Sequence, residues 1–129
     1  MGEFSWKQVK SRLEMKEFFI SVLPGIRKAA RECGYAIGVH GSLMRDFDLI
    51  AVPWVEDFKS KDVLAEEIHK AACGISSECY QWEKKTGQRY ATCMPICWPD
   101  FYLDRNIKSL GHIDLSVIEF REPAKLEGE

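Results

Sequence analysis

The chain has 129 residues, 46% hydrophobic and 12% aromatic, with 18 basic against 20 acidic side chains and a formal net charge of -2. That length suits a single domain able to bury about two-thirds of the surface its unfolded form exposes. The charge balance lacks the basic excess of a phosphate-tracking groove, and no apolar run approaches the roughly 20 residues that span a bilayer.

The opening residues, Met1-Gly2-Glu3-Phe4-Ser5-Trp6-Lys7, lack the charged and apolar regions of a secretory leader, so a soluble, intracellular protein is expected. From Trp6 to Glu32 the apolar spacing is helical, with Leu13, Phe18, Phe19, Val22, Leu23, Ile26 and Ala30 set among charged residues. Pro24 cannot sit comfortably inside a helix. A break near Val22 to Leu23, or a second helix starting there and running to Cys33, is therefore expected, with Gly34 as the cap.

Tyr35 to His40 reads as a strand, and Asp48 to Trp54 as another that ends at Pro53. A loop from Trp54 to Ser60 follows, with Ser60 as N-cap of a helix over Lys61 to Cys73 that Gly74 ends. Between Ile75 and Leu110 the pattern is fragmented. Arg89 to Met94 reads as a strand, Lys84 to Gln88 and Cys97 to Asp100 as turns. His112 to Ile118 alternates as a final strand. The charged run Arg121 to Glu129 reads as a mobile tail after a single domain over 1–120.

This order predicts an α+β domain, a mixed sheet with helices packed on it. The five cysteines, Cys33, Cys73, Cys79, Cys93 and Cys97, form an odd set and are expected to be free and mostly buried. His69 with Cys73, and Cys93 with Cys97, are four apart, but the close paired spacing of zinc modules is missing. The aromatics Trp54, Trp82, Trp98 and Tyr102 are expected in a core or an interface before a base-stacking surface.

The stretch that carries chemistry is Gly41-Ser42-Leu43-Met44-Arg45-Asp46-Phe47-Asp48. Strand side chains alternate between faces, so Asp46 and Asp48 point one way and Phe47 and Leu49 the other. A third acid, Asp114, lies in the apolar run Ile113-Asp114-Leu115. A buried carboxylate needs a cation or a cluster of N–H donors. If the last strand lies beside Phe47 to Val52, the three acids meet. His40 and His112 would then flank them, or else serve as structural histidines, and Ser116, which shares the parity of Asp114, would join that face or else be a small residue under a helix. The competing reading makes the acids turn and surface residues, far apart in an unrelated α+β domain.

A hydrophobic strand, Gly-Ser, Asp-x-Asp and a later Asp within a strand resemble the nucleotidyltransferase superfamily, the group with a polymerase-beta-like sheet. Val39 to Leu43, Arg45 to Trp54 and Ile113 to Val117 look most like short bacteriophage and prophage proteins described as nucleotidyltransferase-like. The resemblance implies that Asp46, Asp48 and Asp114 are the catalytic acids and the ligands of Mg²⁺ or Mn²⁺. It further implies that Gly41, Ser42 and Arg45 face a nucleoside triphosphate, and that a nucleotidyl group passes to a hydroxyl acceptor the residues do not identify.

It implies a cytoplasmic location in a bacterial host, no membrane, and room for a protein partner or a homo-oligomer. The superfamily usually has a longer segment, often a short helix, before the first acid; here only Leu43, Met44 and Arg45 intervene. Two readings therefore stand: an enzyme, or a catalytically inactive accessory module of the same fold that binds a protein or nucleic acid.

Overall fold

The computed structural model describes residues 12–41, 46–72, 80–95 and 112–119. Two helices, α1 (Arg12–Glu32) and α2 (Lys61–Ala71), accompany strands β1 (Tyr35–His40), β2 (Asp46–Pro53), β3 (Glu83–Lys84), β4 (Arg89–Pro95) and β5 (His112–Ile118). The fold is α+β, as expected: one five-stranded mixed sheet in the order β1-β2-β5-β4-β3. Only β2 and β5 are parallel; every other neighbour is antiparallel. Neither the turn at Cys97 to Asp100 nor the tail after Phe120 falls within the described residues. Among those residues no helix is long and apolar enough to cross a membrane.

The expected break in α1 does not occur. Pro24 lies inside a continuous helix, although its missing N–H and its ring disfavour an interior position by about 3 kcal/mol. Packing explains the outcome. Phe18 and Phe19 before the proline and Ile26 and Ala30 after it are all fully buried in one core, whereas Pro24 and Gly25 face solvent. Anchors on both sides hold the two halves in line, and the fault falls on the outer surface. The helix ends where expected, with the Gly34 N–H bonded to the Arg31 carbonyl at 3.0 Å.

Ser60 caps α2 as expected, its hydroxyl accepting from the Val63 N–H at 3.3 Å. The helix itself stops at Ala71, two residues before the expected Cys73, with the Ala72 N–H closing on the Ile68 carbonyl at 3.0 Å. The turn before β4 is present too, but Lys84 belongs to β3, a two-residue strand the fragmented pattern did not signal.

One face of the sheet carries Phe47, Leu49 and Ala51 from β2 and Ile113, Leu115 and Val117 from β5, all without exposed surface. The helices cover this face; Phe19 and Phe47 meet edge to face with ring centres 4.6 Å apart. His69, buried in α2, ties the helix to β4: its Nε2–H donates to the Pro95 carbonyl (3.1 Å) and its Nδ1 accepts from the Tyr80 hydroxyl (3.4 Å). With both nitrogens engaged it is a structural histidine. Trp82 likewise serves the fold, its indole N–H donating to Asp62 at 2.7 Å and its ring lying under the Lys61 ammonium. Trp54, by contrast, is 62% exposed.

Candidate functional site

The opposite face of the sheet follows from the same alternation. If Phe47 and Leu49 point at the helices, Asp46 and Asp48 must point away, and likewise His112, Asp114 and Ser116 on β5. Register then decides who meets whom. Asp48 pairs with Asp114 across the parallel β2–β5 ladder, His40 with Asp48 across β1–β2, and Cys93 with Asp114 across β4–β5. One row across the open face therefore reads His40, Asp48, Asp114, Cys93. The expected placement of β5 beside β2 holds, and the reading that scatters the acids fails for this pair.

Asp48 and Asp114 stand directly opposite each other on the open face of the ladder. Partial burial and then the charge of Asp114 hold the Asp48 carboxyl above its usual range; His40 opposes this and the charge of Asp46 adds to it. The Cys93 thiol is pushed up to about 11 by desolvation and by the neighbouring Asp114 carboxylate. It is thus a neutral thiol near pH 7. Cys33 and Cys93 are both free as expected, but only Cys33 is buried; the open sheet face leaves Cys93 exposed.

Asp46 begins β2 on the same face, one side-chain repeat from Asp48, or roughly 6.5–7 Å along the strand. It faces His112, with Oδ1 3.6 Å from Nδ1. The sheet therefore gathers two of the three acids directly and leaves the third paired with a histidine. Ser42 and Arg45 lie outside the described residues.

Gly41 is in place, and its backbone bears on the site. Its φ of +83° puts it in the left-handed region, and a Cβ there would stand 2.6 Å from Asp48 Oδ2. Gly41→Ala is expected to cost about 1–2 kcal/mol in backbone strain and to turn the Asp48 carboxylate. Gly87 supplies the control, because its φ is +76° but nothing lies within 4 Å of an added Cβ. Gly87→Ala should lose similar stability in urea melts while leaving cation binding intact; equal binding losses in the two variants would show that the Gly41 contact does not shape the site.

Beside the carboxylates the open face sinks into a cavity of about 510 Å³, lined among others by Asp48, Asp114, Cys93, Ser116, Arg89 and Lys85. Of its two readings, Ser116 follows the parity of Asp114 and does not lie under a helix. It sits on the opposite face and accepts a hydrogen bond from Arg89 Nη1 at 3.2 Å. Arg89 and Cys93 were missed as site residues, although their spacing of four within a strand put them on one face. What was missing was the ladder that sets that face beside Asp114.

No known protein family's sequence model matches this chain, and no curated protein sequence does.

Two carboxylates forced together, one of them holding a proton above its normal range, form a place where positive charge is under-supplied. A hard divalent cation suits it, since Mg²⁺ uses one or two carboxylates and completes its shell with water and phosphate oxygens. A closed protein cage does not suit it: among the described residues, no three His, Cys, Asp or Glu side chains are arranged to hold a metal ion.

Proposed function

We propose that the chain is a nucleotidyltransferase-like protein whose open sheet face binds a divalent cation together with a nucleoside triphosphate. The observation that carries this reading is the in-register pairing of Asp48 and Asp114 on adjacent parallel strands, with both side chains lining one cavity. In this reading Asp48 and Asp114 hold Mg²⁺ or Mn²⁺, Asp46 is the third acid on leaving His112, and Gly41, Ser42 and Arg45 face the phosphates. A bound cation would supply charge for a phosphoryl centre under attack by a hydroxyl. The protein's part is to fix two carboxylates on a rigid sheet and to bring the Gly41 backbone against one of them.

A second reading has its own observation. The pairing of Asp46 with His112, and the absence of a three-ligand set among the described residues, favour a module that keeps the sheet and binds without turnover. Titration calorimetry with Mg²⁺ or Mn²⁺, alone and with each nucleoside triphosphate, tests the first reading. Nucleotide binding that requires the cation is the expected result, and heat-silent titrations under all conditions would remove both the cation and the nucleotide. Release of pyrophosphate in the presence of hydroxyl acceptors then separates enzyme from module.

A further inference from the structure

The cavity is electrically two-ended. Its acidic end is the Asp48–Asp114 pair. Along β4 and β5 the side chains on the same face continue to Ala91 and Ser116, then to Arg89. Ser116 stands one repeat from Asp114, roughly 6.5–7 Å along the strand, and the Arg89 guanidinium reaches back over it to bond its hydroxyl at 3.2 Å.

The neighbouring charges are already committed. Lys85 pairs with Glu83 at 3.0 Å, and Glu119, just beyond β5, pairs with Lys61 at 3.4 Å. Arg89 has no carboxylate partner among the described residues. A guanidinium carries five N–H donors in a planar fork that matches a phosphate or carboxylate edge. Here its one described side-chain partner is a neutral hydroxyl, which orients the group without neutralising it. A half-buried cation held over a cavity in this way is prepared for an anion from outside.

We propose that Arg89, oriented by Ser116, is an anion-binding residue that takes a phosphate group of the ligand whose other phosphates lie at the Asp48–Asp114 end. The ligand class is a small polyphosphate, a nucleoside triphosphate or its inorganic equivalent. A single phosphate cannot serve both ends of the cavity, whereas a phosphate chain spans a gap of one strand repeat. A nucleic-acid backbone fits less well, because the chain has no basic excess to follow it. The proposal rests on reading the aspartate pair as a cation site, and its test is arranged so that the two can fail separately.

The probes are inorganic tripolyphosphate, ATP and Mn²⁺ alone, titrated into the wild-type chain, Arg89→Ala and Arg89→Gln. The glutamine variant keeps a donor for Ser116 and guards against a folding defect. Expected is a roughly ten- to hundredfold weaker binding of both polyphosphates in each variant, the usual loss for a charge-assisted pair, with the affinity for Mn²⁺ alone unchanged. Polyphosphate binding that depends on Arg89 but not on Mn²⁺ would sustain this subsite while discarding the cation site. Wild-type affinity in Arg89→Gln, or no binding of either polyphosphate to the wild-type chain, would overturn the assignment.

Discussion

Asparagine in place of Asp114 is expected to do two opposite things: make the cation-free protein slightly more stable, and abolish its response to Mg²⁺ or Mn²⁺. The first effect follows from the pairing of two like-charged groups directly across a ladder, which destabilises a sheet. Because the pair is only partly buried and solvent screens it, the gain should stay below about 1 kcal/mol, or about 3–5 °C in melting temperature for a chain of this size. The second effect is larger. Losing even a supporting partner of a metal ligand costs about 10–100-fold in affinity, so removal of one of two ligands should cost at least about a hundredfold. At a cation concentration a hundred times the dissociation constant, the wild-type chain would gain about 2.7 kcal/mol; the variant would gain almost none. Thermal melts with and without Mn²⁺ read both effects. A variant that is less stable without cation yet still stabilised by it would contradict the proposed site.

Acidity gives the same site a signature. The Asp48 carboxyl titrates above its ordinary value near 3.8 in the folded chain, so the folded state holds this proton more tightly than the unfolded one. Its contribution to stability is fully present below about 3.8 and is lost as pH rises through the raised folded value. Relative to Asp48→Asn, the cation-free wild-type protein should therefore lose stability as pH climbs through that window. Cation binding must displace the Asp48 proton in that window, so affinity should fall on acidification, with proton release visible as a buffer-dependent heat.

Alanine at Phe47 is the second large expectation, and it acts from the other side of the sheet. Phe47 lies between Asp46 and Asp48, is fully buried and packs its ring on Phe19. Truncation of such a side chain costs about 3–5 kcal/mol through lost burial and the cavity left behind, a large share of the roughly 5–15 kcal/mol that holds a domain together. A urea melt should show this loss, whereas Phe47→Leu should keep most of the stability. If Phe47→Ala melts like the wild-type chain, Phe47 is not the anchor that orients the two acids toward the open face.

How far the residues alone reveal this depends on the range of the interaction. Period-two alternation made Tyr35 to His40 and His112 to Ile118 legible as strands to the residue, and the Ser60 cap and the Gly34 stop are equally local. The same alternation put Asp46 and Asp48 on one face and Phe47 and Leu49 on the other. Pro24 misled because a local penalty was set against packing that only the assembled core provides. β3 escaped notice because two residues carry no period.

Sequence by itself determined the α+β class, the strands bearing the acids and the side of the sheet on which those acids stand, because each depends on neighbours a few residues apart in the chain. Only the tertiary structure decided that Asp48 meets Asp114, that Asp46 turns to His112, and that Cys93, Ser116 and Arg89 join the face. Those meetings depend on the register of ladders between distant segments. A slip of one residue in β5 would turn Asp114 into the core and Leu115 out to the cavity, so the burial of Ile113, Leu115 and Val117 against the helices is what holds the two carboxylates together.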